Sequence, residues 1–144
     1  MRTMRAIKHR VSHPLHVLVG LDLITTGGVL LFDKHYFFWP PWPEWITGLE
    51  NNSIVGICGV ALGLGMLIWA RSRNRPSSVD HWLITLATAY YTIISMTELA
   101  HVAFGNRGFQ PYMAMDAMGD LIMVGIALYM AKQSDSKTEG DEDR

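Results

Sequence analysis

The sequence predicts an all-α protein, a bundle of four transmembrane helices with both termini on the cytoplasmic side. Three observations carry that expectation: four apolar segments long enough to cross a bilayer, the placement of basic residues between them, and aromatic residues crowded at their ends. Only 17% of the 144 residues are charged, below the roughly 25% of soluble domains.

A hydrocarbon core of about 30 Å requires about 20 helical residues to cross it. The four segments run from Pro14 to Phe32, Ser53 to Ala70, His81 to Phe104 and Pro111 to Ala131. Long apolar spans must be helical, because a helix satisfies its own backbone hydrogen bonds where no water is present. A soluble four-helix bundle is the competing arrangement. The second segment excludes it: IVGICGVALGLGMLIW has no polar face, which a helix in lipid tolerates and a soluble bundle helix does not.

Basic residues assign the sides. Arg2, Arg5, Lys8 and Arg10 precede the first span, Arg71, Arg73 and Arg75 join the second to the third, and Lys132, Lys137 and Arg144 follow the fourth. Lys34 and Arg107 are the only two in the other loops. That alternation places both termini inside. Tyr36, Phe37, Phe38, Trp39, Trp42 and Trp45 then fall at the outer boundary, with Trp69 and Trp82 at the inner one, as in the aromatic belts of membrane proteins. The prolines of FFWPPWPEW prevent a regular helix there, so this loop is expected along the outer interface.

The first span has a basic leader, but its apolar run exceeds a signal peptide's 7–15 residues and no A-x-A-like site follows, so it reads as retained. Residues 1–132 then form one membrane domain. Residues 133–144, within the polar run KQSDSKTEGDEDR, read as a disordered cytoplasmic tail. A formal net charge of −1 excludes the basic stripe of a nucleic-acid binder. Cys58, the single cysteine, excludes an internal disulfide and a cysteine metal cluster, and reads as a packed small hydrophobe. No nucleophile elbow, phosphate loop or dinucleotide fingerprint occurs, which argues against an enzyme of soluble substrates.

Two features inside the spans carry the functional reading. Gly56, Gly59 and Gly63 share one face of the second span, with Gly59 and Gly63 in GxxxG spacing, and Gly20 and Gly27 make a similar face on the first. Small residues let helices approach closely in lipid, within one copy or between two. The other feature is acidic: Asp22 in the first span, Glu98 in the third, Asp116 and Asp120 in the fourth. An acid at the centre of a membrane helix costs roughly 2.5–3.5 kcal/mol, so these groups should face the bundle interior or water. Asp116 and Asp120 share a face. His81, Thr85, Thr88, Tyr91, Ser95 and Glu98 form a polar arc with His101 at its edge, and Asp22 shares its face with Thr25 and Thr26.

Three readings of Asp22, Tyr91, Glu98, His101, Asp116 and Asp120 compete. The cluster is structural, or it lines a hydrated path favouring cations or protons, or it holds a transition metal or quinone-like cofactor. Glu98-x-x-His101 has the carboxylate–imidazole spacing of di-iron bundles, which use it twice where this chain has it once. His13 and His16, in SHPLH, read as interfacial polar residues in preference to ligands.

The basic start, the compact spans, the small size and the tail KQSDSKTEGDEDR together resemble phage-encoded membrane proteins of the holin kind. The resemblance is one of layout, and no residue role carries over. It implies a homo-oligomer in the bacterial inner membrane, with the bilayer as its medium, that permeabilises it and so releases or activates a lytic enzyme. On that reading no cofactor is needed. The alternatives are a membrane enzyme or redox subunit with metal or quinone at Glu98, His101, Asp116 and Asp120, or an accessory membrane protein.

Overall fold

The computed structural model describes residues 13–33, 36–37, 52–72, 76–104 and 109–142, with side chains as far as Ser134. It is all-helical. In chain order the helices are α1 (Pro14–Phe32), α2 (Ser53–Arg71), α3 (Ser77–Phe104) and α4 (Pro111–Glu142). Each is long and apolar enough to cross a membrane, α4 over Pro111–Ser134.

Local chemistry opens and closes these elements. Pro14 and Pro111 begin α1 and α4, where a missing N–H costs nothing and the fixed φ is already helical. Asn52 caps α2 by accepting the Ile54 N–H at 3.1 Å. At the other end of α2 the Ser72 N–H returns to the Ile68 and Trp69 carbonyls, and Arg71 complements the negative end of the helix. Two boundaries differ from expectation by more than one residue. α3 starts at Ser77, four residues before His81, and α4 runs past Ala131 to Glu142 over the expected tail. Lys, Gln and Glu are good helix formers, and extending an existing helix avoids the cost of nucleation.

The bundle is two antiparallel hairpins. α1 and α2 meet glycine to glycine. A Cβ on Gly20 would lie 3.0 Å from the Gly63 carbonyl oxygen, and one on Gly27 would lie 2.6 Å from that of Gly56. Seven residues forward on α1 is therefore seven back on α2, and no larger residue fits that backbone approach. The glycine face thus works inside one copy. Gly59 leaves a notch for Tyr90 of α3, whose hydroxyl lies 2.5 Å from where a Gly59 Cβ would stand. In the second hairpin the Ser95 hydroxyl of α3 donates to the Ala117 carbonyl of α4 at 3.1 Å.

Val19, Leu23, Met66, Ile84, Tyr91 and Ala127, drawn from all four helices, are buried together or nearly so at the centre. The hairpins join through α2 against α3, whereas α1 and α4 touch only sparsely. The outside is apolar, with Ile57, Ile68, Ile93, Ile122 and Leu128 all more than half exposed. That skin suits lipid and would be an aggregation liability in water.

Some expectations change. Trp69, two residues from the end of α2, is buried against His16 and does not face outward; Trp82 is 67% exposed, as a belt residue should be. Cys58 is exposed instead of packed. Thr85 is also exposed, and Thr88 donates to the Ile84 carbonyl of its own helix, so neither belongs to the inward polar face that Tyr91, Ser95 and Glu98 make on α3. The aromatic run beyond Phe37, the basic residues at 2–10, and Lys34, Arg73, Arg75 and Arg107 lie outside the described residues, as do the side chains of Lys137 and Arg144.

Candidate functional site

The sparse contact between α1 and α4 leaves a cleft with α3 as its floor. It encloses about 480 Å3, and its lining includes all four acids of the spans: Asp22, Glu98, Asp116 and Asp120. Helical rise explains why they converge. Glu98 lies six residues before the end of α3, about 9 Å along its axis, while Asp116 and Asp120 lie about 7.5 and 13.5 Å past the start of α4. Asp22 is near the middle of α1. Antiparallel neighbours bring these depths together, and no Lys, Arg or His is among the described residues lining the cleft.

Tyr36 closes one end. Its hydroxyl lies 2.7 Å from Glu98 Oε1 and 3.0 Å from Asp116 Oδ2, so a residue between α1 and α2 links α3 to α4. One hydroxyl hydrogen faces two carboxyl oxygens, so it is shared between them or a carboxyl supplies a second proton. Burial, followed by the hydrogen bond and charge of Glu98 and the charge of Asp116, holds the Tyr36 hydroxyl well above its ordinary pKa of 10.0. The buried Phe37 anchors this turn, edge-on to Tyr36 with centroids 5.0 Å apart and tilted against His101 at 5.3 Å.

Deeper in, the Tyr91 hydroxyl is 2.8 Å from Asp22 Oδ2 and 3.3 Å from the Val19 carbonyl, tying α3 to α1. One oxygen of Glu98 and both of Asp120 are left without donors among the described residues. Glu98 is 2% exposed, and its Oε2 is buried with no hydrogen-bond partner. Asp120 is 8% exposed, and no hydrogen bond reaches it from the described residues.

His101 does not join them. It is fully buried, its Nδ1 lies 2.8 Å from the Thr97 carbonyl of its own helix, and it does not line the cleft. Glu98 and His101 thus serve different surroundings. Among the described residues no three His, Cys, Asp or Glu side chains lie close enough to hold a metal ion. Neither a protein family, nor a curated protein, nor a solved structure matches this chain.

At the opposite end of the bundle is a second polar cluster that sequence reasoning missed. His16 Nε2 lies 2.7 Å from Asp80 Oδ1, and the Ser134 hydroxyl donates to Asp80 Oδ2 at 2.9 Å. The Trp69 ring stacks on His16 at 4.6 Å and its Nε1 donates to the Pro76 carbonyl at 3.3 Å. One residue from each helix meets there. Ser77-Ser78-Val79-Asp80 has the S-x-x-[DE] form that opens helices, a signal that would have brought Asp80 into the span. Nothing in the sequence signals that Tyr36 reaches Glu98, because that contact depends on how the chain folds back after α1.

An acid-lined cleft between helices long and apolar enough to span a membrane, with no basic side chain among the described residues that line it, can concentrate cations or carry protons.

Proposed function

We propose that this chain is a self-associating protein of the bacterial cytoplasmic membrane that permeabilises it in the manner of a holin, with the acid-lined cleft as the hydrated element. The observation that supports this reading is the sideways opening of the cleft between α1 and α4. Asp116 is exposed there on a helix whose other exposed residues include Met115, Met118 and Leu121. Lipid against that opening would meet carboxyl groups at a cost of roughly 2.5–3.5 kcal/mol for each acid near the bilayer centre. A second copy of the chain, placing its own acids against water in a shared lumen, removes that cost. The distribution of Lys and Arg supports an orientation with the His16 end, and both termini, on the cytoplasmic side.

The facing glycines of α1 and α2 are occupied within one copy, so association falls to the surface carrying α1 and α4. Expression in a bacterial host tests the reading through membrane potential. Depolarisation is expected, with its onset changed by Asp120→Asn, together with cross-linked dimers and larger species through cysteines placed along α4. An unaltered potential at high expression, with only monomers captured, refutes it.

A further inference from the structure

We propose that the cleft of a single copy is a binding site for an amphiphilic organic ammonium ion, a protonated primary amine on a compact apolar body. The inference concerns the same cavity as the permeabilising reading but does not need that reading to hold.

The cavity has the volume of a small-molecule site, about 480 Å3, within the 300–1,000 Å3 usual for such pockets. Its lining divides by chemistry. Leu30, Ile94, Ile122 and Met123 supply an apolar wall, while the four carboxyl groups supply acceptors with no Lys, Arg or His among the described lining residues. Acid clusters are common on protein surfaces, and a cluster alone would decide nothing. What distinguishes this one is unmet hydrogen bonding in nearly buried groups. Glu98 Oε2 has no partner although the residue is 2% exposed, and Asp120 receives no hydrogen bond from the described residues at 8% exposure. A buried acceptor left without a donor costs about 1–3 kcal/mol, more when it is charged. A ligand that brings donors recovers that loss.

Donor type selects the ligand. A bare metal ion needs several oxygens drawn to one point, and no three acidic or imidazole groups among the described residues are close enough. An ammonium group carries three N–H donors pointing in different directions. It can serve acceptors on separate helices at once: Glu98 Oε2 on α3, whose other oxygen already takes the Tyr36 hydroxyl, and Asp120 on α4. Its carbon body then displaces water from the Leu30, Ile94 and Met123 side of the cleft, which a hydrated inorganic cation does not do.

Benzylammonium is a suitable probe, titrated calorimetrically into the full-length protein in an uncharged detergent, with benzyl alcohol as the neutral match of the same shape. Saturable binding of the amine is expected, with little or none of the alcohol. Glu98→Gln, which keeps the shape and removes the charge, is expected to weaken the amine about tenfold or more. Asp120→Asn should do the same and carries the test if Glu98→Gln does not fold. If neither variant folds, the amine-to-alcohol comparison on the unaltered chain decides. Absence of saturable binding, equal binding of the alcohol, or undiminished affinity in a folded Glu98→Gln protein overturns the proposal. Depolarisation without amine binding removes this inference alone; amine binding without depolarisation removes the permeabilising reading alone.

Discussion

His16 and Asp80, 64 residues apart in the chain, meet at 2.7 Å in the interior of one end of the bundle, both less than a tenth exposed. The contact joins α1 to α3, and Ser134 on the other Asp80 oxygen adds α4. Removing either partner strands polar atoms where little water reaches, at about 1–3 kcal/mol. Asp80→Ala and His16→Ala should each lower the unfolding midpoint in detergent. The double variant should fall short of their sum by about 0.5–3 kcal/mol. Strict additivity would show that the two do not act together.

Glycine substitutions separate the tight interface from the open surface. Gly27→Ala would set a methyl group 2.6 Å from the Gly56 carbonyl oxygen, where only backbone movement can relieve it. A loss of about 1–3 kcal/mol is expected, as for an overpacked core. A Cβ at Gly125 meets nothing within 4 Å. Gly125→Ala should therefore gain about 0.5–1 kcal/mol from reduced backbone freedom in the unfolded chain. Thermal unfolding of the two purified variants reads both signs.

Tyr36→Phe deletes the hydroxyl that reaches Glu98 and Asp116 while keeping the ring on Phe37. Both carboxyl groups then lose that hydroxyl, and destabilisation of about 1–3 kcal/mol follows. Proteolysis should open the segment after α1 first, because losing the hydroxyl removes that turn's link to α4 and leaves Phe37 against His101 to hold it to α3. A cleavage pattern identical to that of the unaltered protein would contradict this role.

The same hydroxyl gives a pH signature. Its pKa is raised above the ordinary 10.0 in the folded protein, so above that pH the folded state holds a proton that the unfolded chain has released. The contribution of Tyr36 to stability is therefore whole below about pH 10 and falls as pH rises further. Subtracting the alkaline absorbance titration of Tyr36→Phe from that of the unaltered protein should show no phenolate from Tyr36 near its ordinary pKa. Unfolding followed to high pH should be steeper in the unaltered protein than in the variant.

Run length, helical period and backbone self-sufficiency in lipid are local properties, and they make the four helices readable directly from the residues. The same arithmetic of rise and period put Asp22, Glu98, Asp116 and Asp120 at overlapping depth, and one cavity is lined by all of them. Face and partner are different matters. Thr85 shares the period of Tyr91 yet is exposed, and His101 shares the helix of Glu98 yet faces Phe37. Trp69, placed by composition at an interface, is buried on His16. Whether the glycine faces meet within one copy or between two was open in the sequence, since either satisfies close packing; only the pairing of Gly20 with Gly63 and Gly27 with Gly56 decides it. The sequence by itself determined the four helices and the similar axial positions of their acids, because each follows from residues adjacent in the chain; it left open where α3 begins and where α4 ends. Tertiary structure alone decided that α1 and α4 part to leave a cleft, that Tyr36 closes it, and that His16 finds Asp80. Those contacts link residues more than 60 positions apart, and no local periodicity encodes them.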